Sequence, residues 1–253
     1  MEIRKIGDNL NHHITVCAKA LQKIHYLLDH KYNKEFTVFM HCDRDKETGE
    51  YFMYDTFIPR QDNTTTTTEC DSEDVMDLIT EGADISKLGA HMHSHVSMKV
   101  FTSGTDEKDI LERATHAGYN AAIIMNKNHE IFGHIVDLDL GVYLKDVDVY
   151  IRYPEKMDYE NQILKLIKKE NSLDKIKKLL TIDEWDFFTL SYPLEDSVKE
   201  HLENEIKTKF KSKTSVIPLG KSNYSSKPVY GNGYDEEWYK DWYNKDKATI
   251  AIS

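Results

Sequence analysis

Cysteine is scarce in this 253-residue chain: Cys17, Cys42 and Cys70 are an odd number, and none sits in a Cys-x-x-Cys spacing. That excludes a disulfide framework and a four-thiolate zinc knot, and it points to a reducing, cytoplasmic compartment. Long apolar runs are missing as well. No stretch of about 18 apolar residues occurs, and the N-terminal sequence MEIRKIGDNLNHHITVCAKAL mixes charges and histidines into its apolar positions. Neither a membrane span nor a signal peptide is expected. Basic residues are in deficit, with 33 Lys and Arg against 44 Asp and Glu for a net charge of −11. Binding to phosphate backbones needs clustered cations, so nucleic acid is not an expected partner. The local run KTKFKSK at 207–213 reads as a solvated face.

What is present is enough for a core: 40% of residues are hydrophobic, in a length that suits one ordinary domain plus an appendage. Apolar residues at helical spacing (Val16, Ala20, Leu21, Ile24, and Leu27 or Leu28) predict a helix over 14–28. Residues 35–42 and 51–58 are dense in β-branched and aromatic side chains around a polar turn, and predict a hairpin. The threonine run at 63–68 fits a strand or a loop equally well. A short helix over 71–81 and a buried strand over 87–95 follow, then a helix over 105–117 that Gly118 is placed to stop. Three strand candidates come next, at 119–125, 131–138 and 142–150. Together these imply a mixed α/β domain over residues 1–153.

Past Pro154 the texture becomes Lys- and Glu-rich, with helical segments at 158–180 and 194–210 joined by aromatic residues 185–192; this reads as a helical extension over 154–215. Residues 216–253 contain Pro218, Gly220, Pro228, Gly231 and Gly233 before the acidic aromatic run YDEEWYKDWY, the composition of a connector ending in a sticky segment. In a helix Trp238 and Trp242 would share a face, as a domain cap or as anchors for a protein partner.

The chemistry concentrates in HMHSHVSMKVFTSGTD, residues 91–106. Side chains two apart on a strand share a face, so His93 and His95 present two imidazoles to one point. Ser103 and Asp106 follow, the latter in the first turn of the next helix. Two nitrogens, one carboxylate and an open fourth position make a catalytic rather than a structural zinc site. Taken singly, each element has an ordinary explanation: Ser-x-x-Asp is also a capping box, and a strand histidine is often a satisfied polar group. Jointly, His-x-His, seven residues, Ser, two residues, Asp arises by composition in only about a few in a thousand chains of this length. His91 shares the face of His93, but the spacing to Ser103 and Asp106 fits the later pair, which leaves His91 as a neighbour.

This string resembles the signature of the JAMM, or MPN+, zinc metalloproteases, met here by His93, Ser94, His95, Ser103 and Asp106. The family also carries a glutamate where its first long helix meets its first strand; Glu35 occupies that junction, with Glu47, Glu50 and Glu69 as rivals. Two departures stand out: Val96 replaces the usual proline after the second histidine, and the residues around Glu35 lack the family's small, glycine-bearing pattern. The resemblance spans about residues 10–150. It implies one Zn2+ per chain held by His93, His95 and Asp106, Glu35 as general base, and Ser103 as oxyanion donor, in a hydrolase of peptide or isopeptide bonds acting on a ubiquitin-like or other protein. An extended substrate adding a strand near His93 is the expected binding mode. The competing readings are a catalytically silent scaffold in an assembly and a cell-wall peptidase delivered by a larger particle.

Overall fold

Residues 11–212, apart from 31, 155–158 and 171, are described by the structure, a computed structural model. The connector and aromatic tail expected at 216–253, with Trp238 and Trp242, lie outside the described residues. In chain order the elements are β1 (His13–Cys17), α1 (Ala18–Asp29), β2 (Thr37–Asp45), β3 (Glu50–Phe57), β4 (Gln61–Asn63), β5 (Thr68–Glu69), α2 (Ser72–Thr80), β6 (Ala90–Ser94), α3 (Gly104–Ala117), β7 (Tyr119–Met125), β8 (Ile131–Asp137), β9 (Val142–Val147), β10 (Val149–Arg152), α4 (Tyr159–Lys169), α5 (Leu173–Leu180), α6 (Glu184–Ser191), α7 (Asp196–Lys209) and β11 (Phe210–Ser212). This is a mixed α/β fold, with a large sheet flanked by helices. Among the described residues no helix is long and apolar enough to cross a membrane.

The large sheet runs β10-β1-β3-β2-β6-β7-β8-β9, and a small one runs β11-β4-β5. Strand alternation sorts side chains between the two faces of the large sheet. Ala90, Met92, Ala121 and Ile123 join the core cluster that contains Leu21, Ile24 and Leu28 of α1. Their neighbour Ala122 instead packs with Ile110 and Ala114 of α3. His91 and His93 lie opposite Ala122 and Ile124 in the β6–β7 register, so they face α3. Thus the pleat of β6 aims its histidines at one helix and its apolar residues at another.

Several expectations need correcting. Residues 14–17 are not the start of α1: Ile14 and Val16, fully buried, alternate on a strand that β3 and β10 pair in parallel on either side. The expected strand over 142–150 splits, because β9 pairs with β8 while β10 crosses to β1 at the other end of the sheet. Strands consecutive in sequence therefore form opposite edges, and the sheet curls towards closure. The helix expected over 158–180 is two helices, and the aromatic stretch is α6. The stop at Gly118 holds: it is left-handed (φ 82°) and its N–H donates to the Ala114 carbonyl at 2.8 Å. Leu202 and Ile206 of α7 are buried in the main core.

One buried polar knot ties the sheet. Asp137, fully buried, accepts both Oδ contacts from Arg44 Nη1 at 2.9 Å and a 2.7 Å bond from the Tyr51 hydroxyl. Removing the carboxylate strips Arg44 Nη1 and the buried Tyr51 hydroxyl of their acceptor and leaves Arg44 only its bond to Asp139 Oδ2 at 2.8 Å, which costs about 3 kcal/mol. Asp137→Ala is expected to lower unfolding free energy by that amount in denaturant titration. A loss under about 1 kcal/mol would mean that Asp139 alone satisfies Arg44.

Candidate metal centre

His93 sits inside β6 and His95 one residue past its end, where the His95 N–H still donates to the Met125 carbonyl at 2.8 Å. Asp106 is in the first turn of α3. Ser103 is the N-cap: its Oγ accepts the Asp106 N–H at 3.2 Å, and its own N–H donates to Asp106 Oδ2 at 2.7 Å. So the capping box is real, and it also fixes the carboxylate. The Ser103 side chain and backbone N–H both help to hold the Asp106 carboxylate ionised.

Glu35 lies on the segment between α1 and β2, the second strand rather than the first. Its side chain is 2% exposed. The backbone there is held on both sides: the Glu35 N–H donates to the Thr64 carbonyl at 2.9 Å, and the Phe36 N–H donates to the Ser94 hydroxyl at 2.8 Å. The Ser94 N–H returns to the Phe36 carbonyl at 2.9 Å. Ser94, on the opposite face from the histidines, thereby docks Glu35 beside them.

These four side chains converge. His93 Nε2 lies 3.4 Å from Glu35 Oε2 and 3.6 Å from Asp106 Oδ1, and His95 Nε2 lies 3.6 Å from Asp106 Oδ2. Ligands about 2.1 Å from a zinc ion stand about 3.4 Å from one another in a tetrahedron, which is the spacing of these three contacts. The other ring nitrogens are engaged as a metal site requires. His95 Nδ1 is 3.0 Å from the Lys99 carbonyl, and His93 Nδ1 is 3.4 Å from Thr37 Oγ1, which leaves both Nε2 atoms facing the centre. Among the described residues, Glu35, His93 and His95 form the one group whose donors all lie within 4.8 Å of each other. Asp106 reaches the two imidazoles with separate oxygens.

Burial opposes charge on both members of the His95–Asp106 pair, yet their mutual contact wins. His95 is shifted above the usual histidine value and Asp106 well below the usual carboxylate range, helped by its bonds to Ser103. An anionic carboxylate beside imidazoles, in a site largely closed to water, is a donor set suited to a divalent cation. His91 is not part of it: burial and then the Arg113 charge push it down to about 3, so it is neutral. Of the rival carboxylates, Glu50 pairs with Arg152 and Glu47 lies in the β2–β3 turn.

Val96, where the resembling family has proline, has φ 46°, a left-handed conformation that a β-branched residue rarely adopts. Its carbonyl accepts the Lys127 N–H at 2.6 Å, which holds the turn. Proline, fixed near −65°, cannot take this conformation, whereas asparagine tolerates it. Val96→Pro should therefore cost about 3 kcal/mol, and Val96→Asn should gain about 0.5 kcal/mol. Melting curves of both variants check the pair; a stable proline variant would show that the turn is not left-handed.

No protein-family model matches the chain, and no curated protein matches it. Among solved structures, that of protein DSY2949 from Desulfitobacterium hafniense, determined in solution, aligns with a TM-score of 0.40 and 14% identity, covering 58% of this chain and 96% of that one.

Proposed function

We propose that this protein is a zinc-dependent hydrolase of peptide or isopeptide bonds. The observation that carries the proposal is the convergence of Glu35, His93, His95 and Asp106, from three separate segments, at 3.4–3.6 Å spacings. His93, His95 and Asp106 would hold one Zn2+, whose chemistry there is to polarise a scissile carbonyl and to acidify water. Glu35, buried beside His93, accepts the proton of the attacking water and returns it to the leaving amine. Ser103, at the N-cap of α3, donates a hydrogen bond from its hydroxyl to the developing oxyanion. No cysteine is needed as a nucleophile; Cys42 is buried and its thiol is pushed up to about 12.

A ubiquitin-like or other protein substrate suits the acidic chain, and three free cysteines suit the cytoplasm. The binding mode expected from sequence needs adjustment, because β6 is paired by β2 on one side and β7 on the other and offers no open edge. Among the described residues, the edge of the small sheet runs near the site. β5 pairs, among the described residues, only with β4, and the turn between them contains Thr64, whose carbonyl holds Glu35. An extended substrate tail adds there as a further strand.

The test is zinc analysis of purified protein, followed by cleavage assays on modifier fusions and on peptidoglycan fragments, with and without a chelator. About one zinc per chain and chelator-sensitive cleavage of the fusions are expected. Zinc with cleavage of the peptidoglycan fragments alone would favour the delivered cell-wall peptidase, and no zinc with no cleavage would favour the silent scaffold.

A further inference from the structure

Behind the metal centre a second set of polar side chains links the same two elements. His91 stands two residues before His93 on β6, and Asp109 three residues after Asp106 on α3; His91 Nε2 lies 3.7 Å from Asp109 Oδ2. The same oxygen accepts a 2.8 Å hydrogen bond from Arg113 Nε, one turn further along α3. The Arg113 guanidinium in turn lies over the Phe39 ring of β2, 4.4 Å from its centroid. Asp106, Asp109 and Arg113 thus form one stripe of α3, at spacings of three and four, that meets the sheet at the metal layer, at His91 and at Phe39. The apolar contacts of α3 come from Ile110, Ala114 and the partly buried Leu111, which pack with Ala122, Val136 and Leu138. These contacts set the distance between helix and sheet, and the polar stripe beside them adds directional contacts that fix the helix along it. A one-residue slip would turn Asp106 by about 100° and carry it 1.5 Å, whereas metal–ligand distances tolerate about 0.2 Å.

We propose that Asp109 is a positioning residue: by gripping Arg113 and abutting His91 it fixes the register of α3 on β6, and so holds the Asp106 carboxylate at the distance from His93 and His95 that a metal ion needs. This rests on the zinc reading of the site. Asp109 lies outside the proposed ligand set, and nothing in the signature string marks it. It is found only because the pleat of β6 repeats the histidine face two residues earlier, while α3 repeats its acidic face three residues later.

The experiment measures zinc affinity by chelator competition, and the visible spectrum of the cobalt(II)-substituted protein, in wild type, Asp109→Ala, Asp109→Asn and His91→Phe. Asparagine keeps an oxygen for Arg113, and phenylalanine keeps the ring volume of His91. Asp109→Ala should bind zinc about 10- to 100-fold more weakly with an altered cobalt spectrum, Asp109→Asn should restore most of both, and His91→Phe should fall between. A purely structural role would lower the melting temperature without moving the spectrum, and would overturn the assignment, as would unchanged affinity in Asp109→Ala. Should Asp109→Ala not fold, Asp109→Asn and His91→Phe decide: wild-type affinity and spectrum in both would overturn it. A wild-type protein that takes up neither zinc nor cobalt would instead refute the metal-centre reading itself, and this inference with it.

Discussion

Glu35→Gln is expected to remove hydrolysis by about a thousandfold while the protein keeps about one zinc per chain. Glutamine has the shape of glutamate and still hydrogen-bonds, so the fold and the contact near His93 survive. It cannot accept a proton at working pH, which is the role assigned to the carboxylate. The environment makes this a demanding site for any other group to fill. Glu35 is 2% exposed, and its backbone is fixed by Thr64 on one side and, through Phe36, by Ser94 on the other. Steady-state cleavage of a modifier fusion, with zinc measured on the same samples, checks the result. Retained activity would move the base elsewhere, with Glu69 the next to test; lost zinc would make Glu35 a ligand.

Much of this site could be read from sequence because its donors lie close together in the chain. His93, His95, Ser103 and Asp106 fall within 14 consecutive residues spanning one strand, one loop and one helix start, so spacing alone constrains their geometry. Glu35 has no such constraint. What brings it to the site is the antiparallel pairing of β2 with β6, in which Thr37 lies opposite His93, and the Phe36–Ser94 bonds just beyond. Local sequence contains none of that.

The misread elements failed for physical reasons of the same kind. In HITVC both strand and helix periods place Val16 inside, and the spacing from Val16 to Ala20 extends the helical pattern across a strand. Only the parallel partners β3 and β10, supplied by distant sequence, select the strand. At 142–150 one β-rich run serves two ends of a curled sheet, and its break at Asp148 is a matter of closure rather than of propensity; the Asp148 carbonyl accepts the Ile14 N–H at 3.0 Å. The Asp109–Arg113 pair has only the i, i+4 spacing of an ordinary surface bridge. Its significance comes from His91 and Phe39 underneath.

Asp106→Ala is expected to weaken zinc binding by about three orders of magnitude, roughly 4 kcal/mol. Two ligand sets share His93 and His95 and differ in the carboxylate. By mutual distance the tightest set uses Glu35, whose donors with the imidazoles fall within 4.8 Å. By chemistry the better third ligand is Asp106. Burial disfavours its charge, but hydrogen bonds to His95 and Ser103 and the nearby His93 outweigh that and hold it ionised well below the usual carboxylate range. The Ser103 N–H fixes Oδ2 from the backbone of a helix start, so the carboxylate is already oriented before any ion arrives. Removing it therefore takes away a preorganised charge, a larger loss than the 10- to 100-fold typical of an outer-shell change. Chelator-competition titrations of Asp106→Ala, His93→Ala and Glu35→Gln place the three on one scale. The expected order has the first two far weaker than wild type and Glu35→Gln close to it; tight binding by Asp106→Ala together with loss in Glu35→Gln would exchange the roles of the two carboxylates.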